Sequence, residues 1–228
     1  MKCVHGIELI RYRGDALQTR RLEAWLETVI IAIGNIMIPH HKLPIGIQTF
    51  REIRENHYYY VDKTGLAVDL VERGKYYFLS RPRRFGKSLL IDTFKELFEG
   101  QEPLFRGLAA HERLDWSVQY PVLKLSFGGG VTTDRAQLDR RLTNWLRTTF
   151  EAHQLNCTML DTADGFAELI RHLYEQTGQR VVILVDEYDK PILDRLDQPE
   201  IAMAIREGLK DFYSVIKEIG RASCRERV

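Results

Sequence analysis

The pattern of apolar and polar residues along the chain predicts an α/β fold. Runs of β-branched or aromatic residues typical of strands occur at 57–61, 76–79, 118–127 and 181–185. Elsewhere, apolar residues recur every three to four positions, which predicts helices over 50–55, 64–73, 89–98, 136–153, 165–176 and 201–216. Strands that alternate with helices favour a parallel sheet covered by helices.

The stretch from Tyr76 to Leu97 joins a predicted strand to a helix through Gly86, Lys87 and Ser88. In this layout backbone N–H groups and the helix dipole can converge on the phosphates of a nucleoside triphosphate. Lys87 would reach the β- and γ-phosphates, and Ser88 would help to hold Mg²⁺. Arg81 occupies the position of the first glycine in the pattern G-x-x-x-x-G-K-[ST]. An ordinary strand-to-helix turn is the alternative interpretation.

The candidate phosphate-binding residues form one continuous stretch. They are Arg81, Pro82, Arg83, Arg84, Phe85, Gly86, Lys87, Ser88 and Leu89. Arginine suits bidentate contacts with phosphate, but a loop that surrounds phosphate points most of its side chains outward. We therefore expect at most one of the three arginines to touch nucleotide.

A second candidate site follows the apolar run 181–185, where the chain continues with Asp186 and Glu187. The run predicts a strand buried on both faces. Asp186 would then bind Mg²⁺, and Glu187 would polarise the attacking water. Alternatively, the two acids cap the next helix. Because a phosphate loop precedes them in the chain, we favour the catalytic interpretation. Further on, either Asp189 orients Lys190 or both lie in a surface turn.

Four segments carry more specific signals: YYYVDKT from residue 58, FLSRPRRFGKSLL from 78, LFEGQEPLFRGL from 97 and LVDEYDKPI from 184. With them, residues 43–217 resemble the predicted AAA-ATPase-like family of bacterial and archaeal proteins, in which arginine often replaces the first glycine. The resemblance implies a P-loop NTPase core of the ASCE/AAA-like type, with three layers around a parallel sheet, that binds ATP and Mg²⁺. It also implies a C-terminal PD-(D/E)XK nuclease-like domain in the parent protein.

Three residues ahead of the phosphate loop have two open interpretations. Tyr60, Asp62 and Lys63 lie where related ATPases often place residues that contact adenine. A structural role is equally open, because an aspartate can cap the next helix and a tyrosine can pack in a core.

The composition of the chain bears on whether it binds nucleic acid, holds a metal through its cysteines or spans a membrane. With 44% hydrophobic and 29% charged residues the chain suits one packed domain, and a net charge of +1 gives no overall attraction to nucleic acid. The three cysteines lack metal-binding spacing, which fits a reducing compartment such as the cytoplasm. The apolar run 29–38 is too short to span a membrane.

Both ends of the sequence lie outside the stretch that resembles the family. We interpret residues 1–42 as an extension outside the family, with Met37 as the expected native start. The reverse complement of a common sequencing adapter can encode Ile219–Val228, so we interpret 218–228 as translated adapter. The family resemblance then implies truncation before the sensor strand, and we expect the 228-residue chain alone to be poorly stable and inactive.

Two functions remain open at this stage. The parent protein is either a working ATPase, which could assemble as a homo-oligomer, or a slow nucleotide-dependent switch that controls its nuclease-like domain. Direct nucleic-acid binding lacks support, because no interleaved basic and aromatic pattern is present.

Overall fold

The computed structural model describes residues 41–80, 85–158 and 161–225, with side chains described as far as residue 217. Most of residues 1–42 and residues 81–84 of the phosphate loop therefore lie outside the described residues. The elements, in chain order, are helices α1 (Phe50–Glu55), α2 (Thr64–Arg73), α3 (Lys87–Phe98) and α4 (Glu102–Phe105), strand β1 (Val122–Ser126), helices α5 (Arg135–Ala152) and α6 (Thr162–Thr177), strand β2 (Val182–Asp186), and helices α7 (Lys190–Leu193) and α8 (Pro199–Arg225).

Strands β1 and β2 form a parallel pair. The register runs from Val122 opposite Val182 to Ser126 opposite Asp186. One residue further, the N–H of Phe127 donates to the carbonyl oxygen of Asp186 at 3.2 Å. The carboxyl ends of both strands therefore meet at one edge, where ligands bind in open α/β sheets. The predicted combination of parallel strands and helices is confirmed.

The larger of two hydrophobic cores packs α5, α6 and α8 against the strands. At its centre the rings of Phe166 and Phe212 stack with centroids 4.5 Å apart. The indole of Trp145 meets both rings edge-on, and its N–H donates to the carbonyl of Lys124 at 3.1 Å. Each helix contributes residues three or four positions apart, as the sequence pattern predicts. Its most deeply buried members include Leu123, Leu138, Leu146, Leu169 and Ile205.

A second core joins α1, α2, α3 and α4. Phe50 packs against Phe105, with ring centroids 4.9 Å apart. Two acids of α3 hold α1 in place: Asp92 accepts the backbone N–H of Phe50 at 2.7 Å, and Glu96 pairs with Arg51 at 2.6 Å. Both acids are buried, so each requires such a partner.

Except at the end of α8, the boundaries of the predicted helices lie within three residues of the observed ones. Asp134 caps α5 by accepting the N–H of Gln137, and Asp161 caps α6 by accepting the N–H of Asp164. Gly178 ends α6 in the left-handed conformation, with φ of 65°. The described helix α8 continues past the predicted end at 216, as far as Arg225.

Two predicted strands are wrong. Residues 76–79 and 57–61 form neither strand nor helix, and the side chains of 76–79 are 40% to 68% exposed. Aromatic composition expresses only a preference for a pleated, half-buried surface. In the first segment Tyr77 instead donates to the carbonyl of Leu70, and in the second the N–H of Tyr59 donates to the carbonyl of Lys42.

Strand β2 is also less enclosed than predicted. Its first four residues are half-buried, and only Asp186 is fully buried. Within the described residues the sheet has two strands, so β2 pairs along one edge only. The expectation of burial on both faces is wrong here, because it assumed a sheet with helices covering both of its faces.

Candidate functional site

The predicted phosphate loop ends in the geometry that its glycine permits. Gly86 has a left-handed backbone with φ of 73°, and α3 begins at the next residue, Lys87. A Cβ atom at Gly86 would meet nothing within 4 Å. Glycine is therefore favoured here by its backbone conformation, with no steric need for a missing side chain.

The start of α3 suits an anion. Within the described part of the chain no side chain caps this end, and the first intrahelical bond runs from the N–H of Leu90 to the carbonyl of Gly86 at 3.0 Å. The first turn of a helix presents N–H groups that have no intrahelical acceptor, together with the positive end of the dipole. Lys87 and Ser88 occupy the first two helical positions.

The second half of the candidate site is the carboxyl end of β2. Asp186 is 7% exposed, and its Oδ1 accepts the N–H of Glu187 at 3.0 Å. Glu187 is exposed and has a left-handed backbone with φ of 52°. That conformation is uncommon for a residue other than glycine and often marks a functional position.

One ring contact brings the two halves together. Helix α3 packs against β2, and the ring of Phe78 lies edge-on to that of Tyr188, with centroids 5.2 Å apart. Phe78 precedes the phosphate loop, and Tyr188 follows the two acids. The chain therefore enters the loop beside the carboxyl end of β2.

Comparisons with known proteins identify the family of this chain. Residues 44–226 match the family described as predicted AAA-ATPase. The chain belongs to this family. Membership implies that this AAA-ATPase-like domain binds nucleotide, which is the expectation that the sequence resemblance raised.

A curated relative of the AAA-ATPase-like domain is much longer. The chain is 58% identical over 178 residues to an "Uncharacterized protein in vnfD 5'region" of Azotobacter chroococcum mcd 1. The match covers 78% of this chain and 34% of the relative, so the chain spans about a third of that protein. No solved structure matches the domain.

Two negative findings concern the described part of the domain. None of its helices there combines the length and the apolar character needed to cross a bilayer. Nor do three or more His, Cys, Asp or Glu residues come together there in a group that could hold a metal ion. A Mg²⁺ site of the phosphate-loop type needs no such group, because one or two protein oxygens and the substrate phosphates complete it.

Tyr60, Asp62 and Lys63 all have structural roles in the domain. The Tyr60 ring packs edge-on against Phe50 at 5.2 Å, and burial raises the pKa of its hydroxyl. Lys63 immediately precedes α2, and its carbonyl accepts the N–H groups of Leu66 and Ala67. Contact of these residues with adenine stays a prediction.

Asp62 connects two separate parts of the second core. Its Oδ1 accepts the N–H and the hydroxyl of Thr64, at 2.8 and 2.7 Å, and its Oδ2 accepts the N–H of Ala109 at 2.7 Å. Burial, the largest influence, raises the pKa of this carboxyl, but the bonds from Ala109 and Thr64 outweigh it and hold the pKa below 3.8.

Sequence reasoning missed the contacts by which three cations hold the loop after β1. Lys190 donates to the carbonyl of Gly130 at 2.9 Å, Arg195 to the carbonyl of Thr132 at 3.0 Å, and Arg141 to the hydroxyl of Thr132 at 2.9 Å. Lys190 pairs with Asp194, at 2.5 Å, where the sequence suggested Asp189. The spacing of four residues within a helical turn was the signal that could have identified this pair.

Proposed function

We propose that this chain is the Mg²⁺-dependent ATP-binding and ATP-hydrolysing domain of a longer protein. The observation that carries the proposal is the packing of α3, which starts at Lys87 after the left-handed Gly86, against β2, which ends in Asp186. The anion-binding start of a helix and a carboxylate for a metal then serve the same substrate.

The phosphate side of the proposed site comes from the loop 81–89. The N–H groups at the start of α3 would bind the β-phosphate, and the Lys87 ammonium would bind the β- and γ-phosphate oxygens. The three loop arginines are candidates for one further phosphate contact, and Pro82 would stiffen the turn. Tyr60, Asp62 and Lys63 form the proposed adenine side.

The metal and the nucleophile belong to the other half of the site. The Ser88 hydroxyl and the Asp186 carboxylate would hold Mg²⁺, which when bound neutralises charge on the phosphates. Glu187 would accept a proton from water as the water oxygen bonds to the γ-phosphorus and the bond to the ADP oxygen breaks. Its exposed carboxylate is accessible to such a water.

The context of the domain forms part of the proposal. Because the match covers 34% of the Azotobacter relative, the parent protein has room for further domains, among them the nuclease-like domain that the family resemblance implies. We place the protein in the cytoplasm, where its cysteines would stay reduced. Assembly into a homo-oligomer would follow the usual preference of soluble proteins for symmetric association.

The test uses the full-length gene product, obtained by sequencing the source DNA across the codon for Lys217 and expressing the complete reading frame. ATP affinity and turnover are measured with Mg²⁺ for the wild type and for Glu187→Gln. We expect the variant to bind ATP within about twofold of the wild type and to lose at least about 100-fold in turnover, as for loss of a general base.

Two further variants sharpen the test. Lys87→Ala should lose ATP affinity as well as turnover, because its ammonium would contact the phosphates directly. Glu175→Gln removes an exposed carboxylate near the end of α6 and should change neither quantity. Wild-type turnover by Glu187→Gln would exclude Glu187 as the base, and a wild type that binds no ATP would overturn the proposal.

A nucleotide-dependent switch is the second candidate, favoured by the length of the relative, which leaves room for an effector. We expect a switch to differ from a working ATPase only in its rate of ATP hydrolysis. Tight ATP binding with turnover far below about one per minute would identify a switch, since unassisted switch proteins hydrolyse nucleotide at such rates.

A further inference from the structure

The carboxylate of Glu187 lies against a glycine of another segment. A Cβ atom added at Gly128 would be 3.4 Å from Oε2 of Glu187 and 3.5 Å from its Cδ. Gly128 lies two residues beyond Ser126, the last residue of β1, which pairs with Asp186 at the end of β2. The Glu187 carboxylate is therefore within ordinary contact distance of the space that a side chain at residue 128 would occupy. We call residues 128–132 the glycine loop.

The glycine loop is tied to the segment that carries Glu187. The Lys190 ammonium donates to the carbonyl of Gly130, in the middle of the loop, and the N–H of Lys190 donates to the carbonyl of Glu187 at 3.0 Å. Arg195 and Arg141 bind the far end of the loop at Thr132, which is fully buried. Two cations that follow Glu187 in the chain thus hold the loop beside which its side chain lies.

Lys190 is itself held in place. Its ammonium pairs with Asp194 one helical turn further on, and both side chains are about four-fifths buried. A partly buried ion pair restricts the lysine to few rotamers and keeps the ammonium directed at Gly130. Three consecutive glycines would otherwise leave the loop with many accessible conformations.

We propose that Lys190 is a positioning residue for Glu187, acting through the glycine loop. The role rests on the proposed ATPase function. When Lys190 is bound to Gly130, the loop beside the Glu187 carboxylate is held in place. The carboxylate then keeps one orientation toward the water that it activates. Without the tether, the loop and the carboxylate move independently, while the phosphate-binding end of α3 is unaffected.

The test compares four versions of the full-length gene product. Lys190→Met removes the ammonium and keeps the aliphatic stem, Lys190→Arg restores a cation, and Lys210→Met removes an exposed ammonium that pairs with Glu207 on α8. We expect Lys190→Met to lower kcat about 10- to 100-fold, the cost of a misplaced group, with KM and ATP affinity within about twofold. Lys190→Arg should recover most of kcat, and Lys210→Met should match the wild type.

A second variant tests the same surface without changing Lys190. Gly128→Val puts a branched side chain where the carboxylate rests and should lower kcat to a similar extent, with a non-additive effect in the double variant.

The outcomes separate this inference from the proposed function. If the wild type hydrolyses ATP, Glu187→Gln does not, and Lys190→Met keeps the wild-type kcat, Lys190 has no positioning role. Equal losses of ATP affinity and kcat in Lys190→Met, without recovery by arginine, would also overturn the inference. If the wild type does not hydrolyse ATP, or Glu187→Gln hydrolyses it normally, the proposed function fails and the inference fails with it.

Discussion

The ammonium group of Lys124 on β1 lies 2.6 Å from Oδ1 of Asp92 on α3. The other oxygen of Asp92 accepts the N–H of Phe50 at the start of α1. One buried carboxylate thus connects the helix that follows the phosphate loop to the sheet and to α1. The geometry of the proposed phosphate site at the start of α3 therefore depends on the contacts that fix this helix.

We predict that Asp92→Ala destabilises the domain by about 2–4 kcal/mol, because it leaves a half-buried ammonium and a buried N–H without their acceptor. The measurement is the urea midpoint from pulse proteolysis of the full-length gene product, read at the fragment that contains this domain. Asp139→Ala removes an exposed partner of Arg135 and should cost less than about 1 kcal/mol. Equal midpoints for the two variants would show that the Asp92 contacts add little.

We expect a larger loss of stability when the stacked pair of Phe166 and Phe212 in the larger hydrophobic core is disrupted. Phe212→Ala should cost about 3–5 kcal/mol, because the ring is fully buried and leaves a cavity beside Trp145. Met203→Ala, on the same helix but 63% exposed, should stay within about 0.5 kcal/mol. The same proteolysis assay compares them, and a small loss for Phe212→Ala would mean that the core closes around the gap.

The bonds to Asp62 predict a pH dependence. Its pKa in the folded domain lies below the ordinary 3.8, so its stabilising contribution is present in full above that value and is lost as pH falls through the lower, folded pKa. Asp62→Asn should therefore be less stable than the wild type at pH 7, and the gap should narrow towards about pH 3. Urea midpoints at both pH values test this.

A suitable control for the pH experiment is Asp197→Asn, which alters an exposed side chain that accepts a 3.2 Å hydrogen bond from its neighbour Gln198. Its stability should follow that of the wild type at both pH values. A gap for Asp62→Asn that stays constant between pH 7 and pH 3 would show that the Asp62 bonds do not depend on its charge.

Gly86 and Gly129 form a matched pair for the phosphate loop. A Cβ atom at either would meet nothing within 4 Å, but only Gly86 has a left-handed backbone. Gly86→Ala should therefore cost about 1–2 kcal/mol or shift the start of α3, with weaker ATP binding as a consequence. Gly129→Ala should stay within about 0.5 kcal/mol and keep the affinity. Calorimetric ATP titration of both variants distinguishes these results.

The helices could be predicted from the sequence because their signals are local. Apolar spacing and caps such as Asp134 and Gly178 specify a helix without reference to the rest of the chain. Residues 76–79 show the limit of such reasoning, since a strand also needs a partner strand at its edge, and composition does not reveal one. The segment has strand-like residues, but in the structure it forms no strand, and the ring of Phe78 contacts Tyr188, two residues beyond the end of β2.

In the candidate site, too, some residues could be predicted from local sequence patterns and some contacts could not. Gly86, Lys87, Asp186 and Glu187 could be named in advance, because the phosphate loop and the acids at a strand end have recognisable local patterns. The tie between Lys190 and Gly130 could not be predicted, because the two residues are 60 positions apart and a backbone carbonyl leaves no trace in the sequence.

The left-handed backbone of Glu187 has a consequence for protein engineering. Glycine at this position would relieve about 1 kcal/mol of conformational strain while removing the carboxylate. A laboratory selection for heat resistance alone would therefore tend to replace Glu187 by glycine or asparagine and yield more stable proteins that lack the proposed catalytic base. A library intended to preserve activity should hold this codon fixed.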